Sequence, residues 1–228
     1  MKIHFITISL LLSFVVAHGQ AGFADTRMLY SVADTISRDK TSVTLNVKWM
    51  DSPIQIRKTT RMVYDLEYQR KLRKDPTYYP TREDSLRFMN LMETFTQNCH
   101  SYALEKYFDY HHIVDSLFTK RTVVTENMYM DNILMAAFRK EREVKTKPAR
   151  NLKAEFKEGS LIVFRNKSHA PIHAVFYDGK FHTKNGGWAS RTEESLKPIF
   201  KKYWDTEVIE GYQVDREKVG VYLKTKTQ

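Results

Sequence analysis

The stretch Asn98-Cys99-His100-Ser101-Tyr102-Ala103-Leu104 decides the fold prediction, because it opens a helix with a cysteine in its first turn. Asparagine is a preferred N-cap residue, and apolar side chains continue on one side of the pattern as far as Phe108. A first-turn residue lies beside unpaired backbone N–H groups and the positive end of the helix dipole. These groups can lower the pKa of a thiol from about 8.5 and bind the oxyanion of an attacked carbonyl. Cys99 is therefore the candidate nucleophile, with a core cysteine as the alternative.

Before this helix, the sequence predicts one strand and two helical segments. Apolar and polar residues alternate over residues 43–49, which predicts a half-buried strand. A basic helical stretch over residues 62–69 ends at the proline-containing segment 76–80, and Thr81 with Asp84 forms a capping pair that starts another helix. The proline-containing segment therefore separates an N-terminal accessory region from the rest of the chain.

After this helix, the patterns change from helical to strand-like. A further helix is predicted after Thr125, with apolar residues at helical spacing as far as Phe138. Ser190 with Glu193 offers another helix start, and Pro198 interrupts or restarts that helix. Strands are predicted at four apolar runs, over residues 161–164, 172–177, 208–214 and 219–223. Helices first and strands second favour an α+β fold in which the nucleophile helix packs on an antiparallel sheet.

His173 is the candidate general base, because it lies within the apolar run from Ala170 to Tyr177. An ionisable ring without a partner inside such a strand would cost a few kcal/mol. A thiol at the start of a neighbouring helix can supply the partner, since the imidazole can then hold its proton. A histidine that is satisfied within the core is the alternative.

The hairpin after His173 indicates which group orients its ring. If residues 178–179 form a two-residue turn, Val175 pairs with His182, so His182 and His173 share one face of the sheet as diagonal neighbours. This places His182 in the role of the third member, a polar group that fixes the tautomer of the imidazole. Asn185 stays open as an alternative, because the two glycines that follow it can bend the strand end and turn its amide inward.

Three parts of the sequence together resemble the NlpC-like branch of the papain-fold cysteine peptidases and amidases. They are residues 98–103, residues 158–164, and residues 173–177 with Phe181 and His182. The resemblance covers roughly residues 81–225 and implies a papain-like fold with Cys99, His173 and His182 as the catalytic residues. Members of the family commonly cleave amide bonds in the stem peptides of peptidoglycan. A related amidase branch has a Cys-His-Glu/Asn set, which would promote Asn185 to the third position.

The first residues have the form of a secretory signal. Lys2 precedes an apolar run over residues 5–17, and small residues at Ala17 and Gly19 suit cleavage after Gly19. A membrane anchor is the alternative, but the run is shorter than the roughly 20 residues that a membrane-spanning helix needs, so we expect no stable membrane insertion after signal cleavage. The prediction is a secreted or periplasmic protein with a signal peptide over residues 1–19, an accessory region over residues 20–80 and an NlpC-like domain over residues 81–228.

The charge of the chain favours an acidic partner. Its 228 residues include 37 lysines and arginines against 27 acidic residues, a formal net charge of +10. The basic stretches are scattered between aromatic residues and indicate solvated faces, so we expect peptidoglycan or another amide-containing acidic wall polymer as the partner, and no nucleic acid. No glycine-rich phosphate loop follows a predicted strand, and the adjacent His111 and His112 point apart without a third ligand. We therefore expect neither a cofactor nor a metal.

These features predict a hydrolase that works by acyl transfer. Cys99 attacks an amide carbonyl, His173 takes and returns the proton, and His182 orients His173. Two alternatives stay open at this point. An exported basic binding module can keep the fold without the chemistry, and a protein glutamine deamidase or transglutaminase can use the same three groups.

Overall fold

The computed structural model describes residues 27–39, 42–59, 71, 73–79, 81–83, 96–119, 123–145, 155–186 and 189–226. The predicted signal peptide, the helical stretch over residues 62–69 and all but the start of the helix predicted from Thr81 lie outside these residues. Within them, no helix is both long enough and apolar enough to cross a membrane.

The strands described in the first half of the chain build a four-stranded sheet and a two-stranded one. They are β1 (Arg27–Met28), β2 (Tyr30–Arg38), β3 (Ser42–Trp49), β4 (Ser52–Thr59), β5 (Val114–Asp115) and β6 (Val123–Thr125). The antiparallel order is β2-β3-β4-β6, while β1 pairs with β5 in parallel. The alternation over residues 43–49 correctly predicted β3, in which Val43, Val47 and Trp49 are buried.

The later strands build a six-stranded antiparallel sheet, called the central sheet below. They are β7 (Phe138–Lys145), β8 (Ser160–Arg165), β9 (Pro171–Tyr177), β10 (Phe181–Thr183), β11 (Arg191–Glu193) and β12 (Val208–Val214). Their order is β11-β10-β9-β8-β12-β7. The apolar runs that predicted strands at β8, β9 and β12 are confirmed, since almost every residue of these strands is buried.

The described helices are α1 (Cys99–Tyr110), α2 (Met130–Ala137), α3 (Lys197–Lys202) and α4 (Arg216–Lys226), and a 3-10 turn at Asn127–Tyr129 leads into α2. The helices predicted after Asn98 and Thr125 are confirmed by α1 and α2. Together with the two antiparallel sheets, these helices form an α+β fold, as predicted.

The strand predicted over residues 219–223 is wrong, because this segment lies inside α4. Its β-branched and aromatic residues favour a strand, but a local cap precedes them. Asp215 Oδ1 accepts hydrogen bonds from the N–H groups of Glu217 and Lys218, each at 3.1 Å. This satisfies two backbone donors of the first helical turn, and the cap therefore outweighs the strand propensity.

Two strands of the central sheet were not predicted. The helix start predicted at Ser190 and Glu193 is wrong, because residues 191–193 pair with β10 as β11 and the helix begins only at Lys197, with Pro198 in its first turn. The other strand is β7, which lies at the opposite edge of the sheet and is mostly charged and exposed. Charged residues are common on edge strands, where they hinder further strand pairing, and they remove the alternation that predicts a strand.

One hydrophobic cluster joins the four-stranded sheet to α1 and the central sheet. It includes Trp49 and Ile54, Leu104 and Phe108 of α1, and Phe176 of β9. A second cluster covers the other face of β8 and β9, with members that include Phe164, Val175, Phe181 and Ile199. The domain boundary at residue 80 stays a prediction, and the first cluster crosses it.

Candidate active site

Cys99 is the first residue of α1, and the helix start is fixed by Asn98. The Asn98 side-chain oxygen accepts hydrogen bonds from the backbone N–H and the hydroxyl of Ser101, both at 3.0 Å. Its amide nitrogen donates to the carbonyl of Thr125 at 2.6 Å, which ties the helix start to β6. The predicted cap is therefore confirmed, and it holds the cysteine in the first turn.

The His173 ring is completely buried on the face of the central sheet that carries the second hydrophobic cluster. It stacks on the Tyr203 ring, with the ring centroids 4.0 Å apart, and meets the edge of the Phe164 ring. Its Nε2 lies 2.8 Å from the Thr183 hydroxyl oxygen. Its Nδ1 is buried and has no hydrogen-bond partner within the described part of the chain.

Cys99 and His173 have neighbours in common near the place where β9 and β10 separate. These strands pair only at Tyr177 with Phe181 and at Phe176 with His182, so β10 leaves β9 before the level of His173. The backbone N–H of Ala174 hydrogen-bonds the Cys99 sulfur, and Tyr203 is close enough to feel the charge of a Cys99 thiolate. The α1 helix lies against one face of β9 and the imidazole lies on the other, so Ala174 and Tyr203 are the neighbours that connect the two groups.

Burial controls the protonation of both groups. Cys99 is only 6% exposed, and burial raises the pKa of its thiol to about 11, although backbone N–H groups including that of Ala174 oppose the shift. Burial also lowers the pKa of His173 well below its usual value, with the positive charges of His100 and Lys202 acting in the same direction. Both groups are therefore uncharged at neutral pH. The lowered thiol pKa expected from the helix N-terminus is not seen, because desolvation of the thiolate is the larger effect.

The predicted hairpin register is wrong by one residue. The loop has three residues, 178–180, because the Asp178 carboxylate accepts the Lys180 N–H at 3.3 Å and Phe181 therefore pairs with Tyr177. A slip of one residue moves every side chain of a strand to the other face. His182 consequently lies away from His173, and its Nε2 is 2.8 Å from Asp178 Oδ1.

Thr183 occupies the place that was predicted for His182. The three-residue loop puts Thr183 on the face of His173, where its hydroxyl contacts Nε2. A count that assumed a three-residue loop would have found it. Tyr203, which stacks on the imidazole, lies far along the chain, and no sequence signal marked it.

Asn185, the alternative third group, contacts a neighbour of His173. Its side-chain amide lies 2.9 Å from the Tyr203 hydroxyl, and Tyr203 stacks on the imidazole. Among the described residues, Tyr203 is therefore the link between Asn185 and the histidine.

The adjacent histidines His111 and His112 follow the end of α1. His111 Nε2 donates to the carbonyl of Gly159 at 2.6 Å, and its ring packs on Tyr107 with the ring centroids 4.3 Å apart. This ring therefore links the end of α1 to the start of β8. Among the described residues, no group of three or more His, Cys, Asp or Glu side chains is placed to hold a metal ion.

Comparison with known proteins finds no relative: no family model matches the chain, and no curated protein or solved structure matches it significantly.

Proposed function

We propose that the protein is a cysteine hydrolase that cleaves amide bonds, with Cys99 as nucleophile, His173 as base and Thr183 as the group that orients His173. The observation that carries the proposal is the buried Nδ1 of His173, which has no hydrogen-bond partner among the described residues while Nε2 is held by Thr183. The ring shares the neighbours Ala174 and Tyr203 with Cys99. A buried polar atom left without a partner costs about 1–3 kcal/mol, so its retention needs a functional reason. In the tautomer that the mechanism requires, Nε2–H donates to the Thr183 hydroxyl and the Nδ1 lone pair is free.

The reaction begins when the Cys99 thiol gives its proton to His173 Nδ1 and the sulfur attacks the carbonyl carbon of the amide. The oxyanion that forms accepts hydrogen bonds from N–H groups at the start of α1. As the C–N bond breaks, His173 returns the proton to the leaving amine. Water then attacks the thioester with His173 again as base, which releases the acid and restores the thiol.

The proposed substrate is a stem peptide of peptidoglycan, and the proposed location is the periplasm or the cell exterior. Three features support this. The motifs around Cys99 and His173 resemble those of NlpC-like enzymes, the first 19 residues have the form of a secretory signal, and the net charge of +10 suits an acidic wall polymer. A cysteine that opens a helix beside a histidine on an antiparallel strand also supports a papain-like arrangement.

The test is digestion of purified wall by the wild type and by Cys99→Ala and His173→Ala, with the fragments compared by mass spectrometry. New amide-cleavage fragments are expected from the wild type and from neither variant. His182→Ala is the matched histidine control and should release the wild-type fragments. Circular dichroism checks that each variant is folded. Equal products from the wild type and a folded Cys99→Ala protein would contradict the proposal.

The second candidate is an exported binding protein whose chemistry is silent. The observation in its favour is the raised pKa of Cys99, to about 11, in a buried position. Alkylation of the thiol against pH separates the two candidates. If His173 activates the thiol, alkylation should be slower in His173→Ala than in the wild type, whereas a silent core cysteine should react slowly in both until the protein unfolds.

A further inference from the structure

Two cationic side chains converge on the amide of Asn185 beside the candidate site. Asn185 is 8% exposed, and its amide nitrogen donates to the Tyr203 hydroxyl oxygen at 2.9 Å. In this orientation, which pairs a donor with an acceptor at every contact, the amide oxygen accepts from Arg191 Nη2 at 2.8 Å and from Lys202 Nζ at 3.1 Å. The two cations are therefore held close together by one neutral oxygen.

The charges of this pair are only weakly balanced by carboxylates. The nearest acidic partner of Arg191 is Glu193, with Nε and Oε1 3.9 Å apart, and no ion pair of Lys202 is found in the described part of the chain. Two like charges held in this way repel each other, and an anion placed between them relieves the repulsion. About half of the Arg191 side chain is exposed and Lys202 is exposed, so a ligand can reach them from solvent.

The pair lies close to the reacting groups. Tyr203 links it to the site, since its hydroxyl contacts Asn185 and its ring stacks on His173. After burial and His100, the charge of Lys202 is the next cause that lowers the pKa of His173. An anion bound by Arg191 and Lys202 would therefore lie on the side of the imidazole that Tyr203 covers.

We propose that Arg191 and Lys202, held by Asn185, form a subsite for a carboxylate that the substrate carries near the amide to be cleaved. The inference rests on the proposed function and names its substrate class, an amide within an acidic peptide. Arginine suits this role because its planar guanidinium matches a carboxylate with two parallel hydrogen bonds. Asn185 fixes the two cations without neutralising them.

The subsite is tested by binding to the full chain, with N-acetylglutamate as the anionic probe and N-acetylglutamine as its neutral analogue. Nuclear magnetic resonance follows the Asn185 side-chain amide and the His173 ring. A saturable shift is expected with N-acetylglutamate and not with N-acetylglutamine. The variant Arg191→Gln/Lys202→Gln should weaken binding roughly tenfold or more. Lys201→Gln removes the neighbouring charge of α3 and should leave binding unchanged.

A further variant distinguishes loss of the subsite from loss of the folded structure. Asn185→Asp places a carboxylate between the two cations, so it should abolish binding of the probe while keeping them in place. No shift in the wild type, equal shifts with both probes, or equal weakening by Lys201→Gln would overturn the subsite. Probe binding without wall cleavage would support the subsite and contradict the proposed enzyme activity. Wall cleavage without probe binding would support the enzyme activity and contradict the subsite.

Discussion

The central sheet has a buried polar cluster on each face, and the two differ in how completely their polar atoms are paired. On the face of α2, Arg165 contacts the Glu210 carboxylate and donates to Asp131 Oδ1 at 2.6 Å and to the His169 carbonyl at 2.8 Å. The Tyr212 hydroxyl donates to the same Glu210 carboxylate at 2.6 Å. The guanidinium therefore has a partner in three directions.

The cluster on the other face leaves one atom unpaired. The His173 Nε2 contacts Thr183, but its Nδ1 has no hydrogen-bond partner among the described residues. His173 pairs across the strands with Phe164, the residue next to Arg165, so both clusters lie at the same level of the sheet. A fully paired buried cluster fixes the packing of its strands, whereas a partly paired one costs stability. The ring nitrogens of His100, near Arg165, are also buried without a hydrogen-bond partner among the described residues, so the proposed chemistry at His173 rests as well on its common neighbours with Cys99. The Arg165 cluster therefore suits a structural role, and the His173 cluster suits the chemistry that we propose.

The largest effect on the rate of amide cleavage is expected for His173→Gln. Loss of the general base should lower the rate of amide cleavage roughly 10³-fold, because proton transfer by a positioned side chain contributes about 10²–10⁴. The free energy of unfolding should change less than it does for variants of the Arg165 cluster. Initial rates on wall fragments and urea denaturation measure the two quantities. A rate within tenfold of the wild type would break the assignment of chemistry to this face.

On the other face, Glu210→Ala should lower the free energy of unfolding by about 3–5 kcal/mol, because it removes the partner of a buried arginine. Urea denaturation measures this change. Glu143→Ala is the matched control: Glu143 is 44% exposed and pairs with Lys140, so its loss should cost less than about 1 kcal/mol. Equal costs for the two variants would show that the Arg165 cluster does not fix the sheet.

Much of the fold follows from local patterns. The alternation in β3, the apolar runs in β8, β9 and β12, and the cap at Asn98 each predicted an element that the structure has. Their signals are strong because each element buries a face or satisfies its own helix end. The edge strand β7 gave no such signal, because most of its side chains are charged and exposed and bury no apolar face.

The candidate site was predictable only in part. Cys99 and His173 were identified from a helix start and from an ionisable ring inside an apolar strand, and in the structure both have Ala174 and Tyr203 as neighbours. The third group depended on loop length, and a single extra loop residue replaced His182 by Thr183. The raised pKa of Cys99 depends on burial by distant segments, which residue spacing does not show.

The stability of the protein should depend on pH through His100, which connects the two clusters. Its ring lies near the charges of Asp131 and Arg165, and its charge also lowers the pKa of His173. Burial lowers the pKa of His100 from 6.5 to about 4, so only the unfolded chain takes up this proton between these values. Stability should therefore fall as the pH falls from 6.5 towards 4, by up to about 1.4 kcal/mol per pH unit from this group. His173 acts in the same direction, while Asp115, whose pKa burial raises from 3.8 to about 6, acts in the opposite one.

The variant His100→Gln isolates this contribution. Urea denaturation between pH 4.5 and 7 should give a smaller loss of stability at low pH for the variant than for the wild type. Asp115 is present in both proteins, so its opposite effect cancels in the difference. Parallel curves would mean that the His100 ring takes up its proton equally well in the folded protein.

The smallest effect on the rate of cleavage is expected for variants of Thr183, because Thr183 acts on the reaction through His173. Thr183→Val keeps the shape but removes the hydrogen bond to Nε2, so the rate of cleavage should fall about tenfold, the equivalent of one hydrogen bond. Thr183→Ser restores the hydroxyl and should recover most of the rate, which a packing defect would not allow. His182→Ala is the control from the same strand and should keep the wild-type rate, because its ring contacts Asp178. If His182→Ala were slow and Thr183→Val fast, the two-residue turn and its register would describe the working enzyme better than the three-residue loop.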